Sequence, residues 1–485
     1  SLMAGGTLVE LLRRMERSPR LALLQAPIRL QGGSTLFARA TQFASSAYGR
    51  LHERGLSRWA GVHGNYYGHN AVLRVSAFLE SCALPVLRGE PPLGGHILSH
   101  DFVEAALLCR AGWQVELAHD LGSSFEGVPP TFIDYVARDR RWCQGNLQHL
   151  RIIRARGLVP MSRIHLGLGA AAYLAGGVWV AFLLLGVLLW RSSGQAFFGV
   201  AVPAAVGTLG LLLGPRLLSV LDLVRDRQRR RAHGGLFRLL AGFIFELTLS
   251  TALSPLLMLH HAGMVLQIVT GSAVGWRAQR RDASANFLDT LRVEAVPTLL
   301  GIAFASALWL YARALLPWLA PVWVPWVLAA PFAWFCSLEA TGRLARSLGL
   351  LLVPSEIEPD EIIVRANELT ALTRGDESAR FRDLVLDPVL LEAHLARLPA
   401  PAAGVTPIKL DDLCARALRL GPAALSQKER ERLSADPASM RRLHREAWQC
   451  WPVESWQPAR HRPHLPSNAG ALGAVAPEAR GLRSV

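Results

Sequence analysis

The sequence predicts an α/β domain present only as its C-terminal half, then a polytopic α-helical membrane domain of about six helices, then a cytoplasmic tail. Three observations predict it. Short apolar runs alternate with helical patterns up to about residue 150. Long apolar stretches fill most of 164–339, and arginines cluster beside them. The 485 residues are 51% hydrophobic yet carry a formal charge of +15. Spans that cross a bilayer core of roughly 30 Å reconcile the two figures if the arginines sit in cytoplasmic loops. Nucleic-acid binding is the competing explanation of the charge. It is disfavoured because the arginines adjoin apolar spans, with neither zinc-finger spacing nor a basic-aromatic platform.

In the front domain (1–130), Thr7-Leu8-Val9-Glu10 has the form of a capping box opening an amphipathic helix that buries Leu8, Leu11, Leu12 and Met15. Strands are expected at 21–28, 71–75 and 113–118, and a helix from about Phe102 to Cys109 ending at Ala111-Gly112. These pieces do not complete a doubly wound sheet. Ser1-Leu2-Met3-Ala4 lacks the basic and apolar regions of a signal peptide, and with no initiator Met at position 1 a start inside a longer product is expected. The six cysteines are far apart with no Cys-x-x-Cys pair, which suggests neither a disulfide framework nor a cysteine-zinc site.

Pro129-Pro130-Thr131 predicts a helix to about Arg156 that stops at Gly157; 131–162 reads as a basic helix on the membrane surface, with Arg138, Arg140, Arg141, Arg151, Arg154 and Arg156 on its polar positions. Within 163–340, spans are expected at 164–190, 195–221, 236–254, 256–275, 296–316 and 322–338. Arg225 to Arg231, and Arg277, Arg280 and Arg281, mark the cytoplasmic side. An even number of crossings must then lie between them, and a break near Ser254-Pro255 divides 236–275 into two helices of roughly twenty residues. Trp318, Trp323 and Trp326 read as a periplasmic aromatic belt. The tail, 341–485, reads as a small cytoplasmic domain with a Ser426-Gln427-Lys428-Glu429 capping box and a disordered Pro-, Arg- and Ala-rich end.

Asp101 is the first candidate for chemistry. With Glu104 three residues later it has the form of a helix cap, but at a strand-to-helix junction a carboxylate can also serve as a general base. His96 and His100 are four apart, as zinc ligands on one helix face would be. Ile97 stands where a zincin has Glu, and Gly94-Gly95 argues for a loop, so no metal site is assigned. Arg138-Asp139-Arg140-Arg141-Trp142 can be a solvated basic face with one anchoring Trp. Equally, Arg suits a diphosphate leaving group, and Trp offers a flat face for a pyranose. Glu246, inside a span, suggests a polar translocation path.

Together, Ser99-His100-Asp101 and Arg138-Asp139-Arg140-Arg141-Trp142 resemble the third-aspartate and Gln-(Gln/Arg)-x-Arg-Trp motifs of the processive membrane glycosyltransferases of family 2. The final Arg141-Trp142 is kept. Arg138 and Asp139 replace the Gln and its neighbour. Asn65 to Ala71, Gly94 to Ala105 and Arg140 to Leu150 are similar, more specifically, to the branch that makes osmoregulated periplasmic glucans. The resemblance implies a glycosyltransferase-A-like fold for the front domain and transfer of glucose from UDP-glucose to a β-glucan acceptor, with export through the membrane helices. It implies Asp101 as base, Arg141 and Arg140 on the donor diphosphate, and Trp142, Gly68, His69 and Asn70 on the acceptor side. It also implies a divalent metal (Mg or Mn), acyl carrier protein and a periplasmic glucan-biosynthesis protein as partners, and a multi-pass protein of the bacterial inner membrane with the catalytic domain cytoplasmic. The family's metal-binding Asp-x-Asp is absent from the front domain, so the chain alone is expected to be inactive. A transporter or channel with a regulatory front domain is the alternative.

Overall fold

The computed structural model describes residues 1–193, 196–272, 286–373, 377–398, 408–449 and 456. Contacts divide the chain into two compact units, Ser1–Arg365 and Ala366–Val485.

The first unit opens with β1 (Leu2–Met3), α1 (Gly5–Arg17), β2 (Leu21–Gln25), β3 (Arg29–Gln31), α2 (Leu36–Ala60), β4 (Ala71–Leu73), α3 (Val75–Ser81), α4 (His100–Arg110), β5 (Gln114–Leu117) and β6 (Ser124–Gly127). Two three-stranded sheets result, in the orders β4-β2-β5 and β1-β6-β3. β2 is central and wholly buried, as its run Leu-Ala-Leu-Leu-Gln requires; it pairs antiparallel with β4 and parallel with β5. The expected strands are present but shorter. Residues 26–28 leave the sheet at Pro27, and Val75 already belongs to α3. The helix of the expected capping box starts three residues earlier, after Ala4. Its Thr7 hydroxyl donates to the Gly122 carbonyl instead, and Glu10 binds Arg14. Leu11 and Met15 are buried, whereas Leu8 and Leu12 are exposed, because the covered stripe is narrower than the sequence pattern.

α5 (Phe132–Ile152) is capped by the Thr131 hydroxyl, which accepts from the Asp134 N–H at 3.1 Å. It is not a helix lying on a surface: residues 143–149 are all buried. α6 (Pro160–Ser193), α7 (Ala196–Arg225), α8 (Arg227–Ala232), α9 (Leu236–Val269) and α10 (Phe287–Tyr311) follow. Four of these, α6, α7, α9 and α10, contain stretches long and apolar enough to cross a membrane.

The two helices expected at 236–254 and 256–275 are one, α9, with Pro255 inside it. A proline costs a helix one backbone bond, here the one to the Thr251 carbonyl, yet α9 continues through it. Here the Trp326 indole N–H donates to the Pro255 carbonyl at 2.8 Å. Conversely, the span expected at 322–338 is split into α11 (Ala320–Val327) and α12 (Ala329–Cys336), as Pro325 and Pro331 remove donors on both sides of the break. Of the expected belt, Trp318 is exposed, Trp323 donates to the Leu316 carbonyl, and Trp326 is buried on α9. The basic stretch at Arg277, Arg280 and Arg281 lies outside the described residues. α13 (Glu339–Ser347), α14 (Pro354–Ile357) and the start of α15 (Glu361–Thr373) close this unit.

The second unit is helical: α16 (Glu377–Leu386), α17 (Pro388–Leu395), α18 (Ile408–Leu420), α19 (Gln427–Ser434) and α20 (Pro437–Gln449). They surround Val385, Cys414, Leu433, Met440 and Trp456. The Ser426–Glu429 capping box is formed as the sequence predicts. The expected disordered end lies outside the described residues, apart from Trp456.

Candidate active site

The site is assembled on α5, whose residues point two ways. Arg141, Gly145, Gln148 and His149 recur at helical spacing on one face, and Asp139, Cys143 and Asn146 on another. The first face carries the loop that leads to Asp101. Gln148 Nε2 donates to the carbonyls of Pro92, Gly94 and His96, while its Oε1 accepts from the Leu98 N–H at 3.0 Å. His149 Nε2 lies 3.0 Å from the Ser99 carbonyl, and its ring stacks on Phe102 at 5.6 Å. Burial pushes the His149 imidazole down to about 4, so it is neutral near pH 7 and donates from Nε2. Gln144 adds a bond to the Pro92 carbonyl at 3.0 Å.

At Gly145, α4 and α5 touch: a Cβ there would lie 2.2 Å from Ser99 Oγ and 2.6 Å from its backbone N. Gly145→Ala is therefore expected to force the helices apart, lowering stability by about 1–3 kcal/mol and displacing Asp101. Thermal unfolding checks this, and an unchanged midpoint would count against the close approach.

Asp101 is in the first turn of α4, after the N-cap Ser99, so it is not the cap. Its carboxylate faces Gly68, which has φ +86 and where a Cβ would lie 2.7 Å from Oδ2. Around it are His100 Nδ1 at 3.2 Å from Oδ1, and the positive influence of His69 and Arg141. Burial pushes the Asp101 carboxyl above its ordinary value; His100, His69 and Arg141 oppose the rise. His69 is in turn held by Glu126 at 3.4 Å and by Asn70 Oδ1 at 3.0 Å, and the Glu126 bond raises its tendency to protonate. Asn70, at φ 53, is buried and donates to Ser124 Oγ at 2.7 Å, pinning this turn to β6. Asp101, Gly68, His69 and Arg141 thus share one place, with Asn70 beneath.

Trp142 is 40% exposed and lies under the Arg138 guanidinium at 4.4 Å from the ring centre. Among the described residues, the Nε atoms of Arg138 and Arg140 are buried without a hydrogen-bond partner. Glu246 belongs to a different cluster: Tyr48 donates to it and Arg216 lies 3.8 Å away, so the carboxylate ties α2, α7 and α9 together.

The second face of α5 docks on the membrane helices. Asp139, 3% exposed, accepts from the Tyr173 hydroxyl at 2.8 Å and lies 2.6 Å from His261 Nε2, joining α5 to α6 and α9. His260 next door holds Glu294 of α10 at 3.0 Å. Asp139, Gln148 and His149 have no role in the sequence pattern above, and Glu104, expected as the acid of a cap at Asp101, instead holds His100 at 2.9 Å. The spacing of Asp139 against Arg141 and of His260 against His261 was the available signal.

His96 does not join His100. Instead His100, Asp101 and Glu104 have possible metal-ligand atoms within 4.8 Å of one another. A fit to a cation is poor, because His100 Nδ1 already bonds Glu104 Oε1 at 2.9 Å and lies beside Asp101; the cluster is internally paired.

Four helices long and apolar enough to cross a membrane are thus joined through α5 to an α/β layer with a carboxylate at a helix start, the architecture of a membrane protein with an attached α/β domain. Residues 1–218 match the family model described as Glycosyl transferase family group 2. The chain is 38% identical over 428 residues to glucans biosynthesis glucosyltransferase H of Bradyrhizobium diazoefficiens, covering 84% of this chain and 57% of the relative. It is 36% identical over 476 residues to the protein of the same name from Shewanella baltica, covering 92% and 65%. The chain thus spans less than two thirds of the length of these relatives.

Proposed function

We propose that this chain is the acceptor-side part of a membrane glucosyltransferase that lengthens a β-glucan from UDP-glucose and passes it through the membrane helices. The observation that carries the reading is the Asp101 carboxylate facing the Cβ-less Gly68, with His69 and Arg141 beside it. The names of the relatives support the glucose and glucan parts. An acceptor hydroxyl placed against Gly68 gives its proton to Asp101 as its oxygen bonds to the donor's anomeric carbon. The bond to the diphosphate breaks, and UDP leaves with the electron pair. Arg141 and Arg140 hold the departing diphosphate, while Trp142 stacks the acceptor sugar. Gly68, His69 and Asn70 shape the acceptor side, and Glu246 borders the export path.

In the family a divalent metal neutralises the diphosphate. The front domain carries no Asp-x-Asp, so we take the metal ligands to be supplied outside these residues and the chain alone to transfer no sugar. Cytoplasmic placement of the front domain at the inner membrane, with acyl carrier protein and a periplasmic glucan-biosynthesis protein as partners, completes the proposal.

Trp142→Ala tests it. Elongation of glucan should fall further than release of UDP by donor hydrolysis, because the ring acts on the acceptor; equal losses would contradict the stacking role. The acid side of the pH profile is a second test. A buried carboxyl loses its base form at a pH above that of an exposed aspartate, about 3.9. Activity should therefore decline on acidification earlier than such a group would give. His69→Gln removes a charge that favours the ionised form and should move the decline to still higher pH. A shift to lower pH would contradict the arrangement.

A further inference from the structure

On the front-domain side of α9 there is a cleft of about 560 Å³ that the transfer reaction does not use. Arg231, Arg238 and Arg346 line it, with Ser347 and the turns at Gly234, Gly235 and Gly349. The turns let the walls close in: Gly349 and Gly234 both lie against the Arg238 side chain, and both have positive φ. Among the described residues no carboxylate forms an ion pair with Arg231 or Arg238. Arg346 reaches Glu356 only at 3.7 Å, and that carboxylate is already engaged by Arg39 at 3.0 Å.

The surface beside the cleft is apolar. Phe237 is 88% exposed, and Ile244 and Leu348 are more than 60% exposed. Phe237, Leu240 and Ile244 are spaced three and four apart, so they form one stripe running from the arginines down α9. Unpaired arginines at the head of an exposed apolar stripe on a candidate membrane span match a ligand with an anionic head and an acyl body.

We infer that this cleft binds an anionic phospholipid, with its phosphodiester on Arg231, Arg238 and Arg346 and an acyl chain along Phe237, Leu240 and Ile244. Free phosphate would satisfy the arginines but not the stripe. The test uses the protein at the length of its relatives, purified in neutral detergent, with native mass spectrometry counting retained phosphatidylglycerol against phosphatidylcholine. Each arginine near an anionic surface accounts for about fivefold in affinity, so Arg231→Gln with Arg238→Gln should weaken phosphatidylglycerol retention by about 25-fold. Arg54→Gln with Arg58→Gln, which removes the same charge from α2, should leave retention unchanged. Equal loss in both pairs would reduce the effect to net charge and overturn the site. So would no preference over phosphatidylcholine in the unaltered protein, or displacement of the lipid by equimolar inorganic phosphate. None of these readings depends on sugar transfer.

Discussion

Asp101→Asn is expected to lower sugar transfer by about a hundred- to ten-thousandfold while the protein stays in the membrane and keeps its fold. Asparagine has the same shape but cannot take a proton from an acceptor hydroxyl. Its structural cost is small: Asp101 follows the N-cap, and His100 retains Glu104 as a partner at 2.9 Å. A negative group in the first turn of a helix contributes about 0.3–1 kcal/mol through the helix dipole. Assays of glucan formation and thermal unfolding on one preparation separate the two effects. Near-normal transfer with lowered stability would make Asp101 a helix-end residue only.

Asp139→Ala is expected to be the most disruptive change outside the reacting residues. It strips the Tyr173 hydroxyl and His261 of a shared acceptor inside a buried contact among α5, α6 and α9. Breaking such a buried pair from one side costs about 3–5 kcal/mol. Asp139 is two residues from Arg141 and three from Trp142, so both should lose their placement together. Asp139→Asn, which keeps an oxygen acceptor for Tyr173, should recover most of the stability. Thermal unfolding of both variants checks this, and an alanine variant as stable as the unaltered protein would show that the contact carries little.

Much of the site was legible because its chemistry is local in sequence. Asp101 and Arg141-Trp142 stand in short strings whose residue types suit proton transfer, phosphate binding and sugar stacking. The tie between them was not legible: Gly145, Gln148 and His149 serve a loop some fifty residues away, and nothing in their spacing says so. The apolar spans were readable from hydropathy, yet proline misled in both directions. Pro255 lies inside α9, which runs on unbroken, whereas Pro325 and Pro331 flank the break between α11 and α12. The basic positions of α5 suggested a surface helix. Burial of 143–149 depends on both neighbouring layers, which periodicity cannot see.

The most direct test of the account follows glucose from labelled UDP-glucose in membrane vesicles carrying the protein at the length of its relatives. Labelled β-glucan should form and reach the far side of the membrane, in an Asp101-dependent manner. Passage of preformed glucan or another solute without incorporation of glucose would contradict the account and identify a transporter.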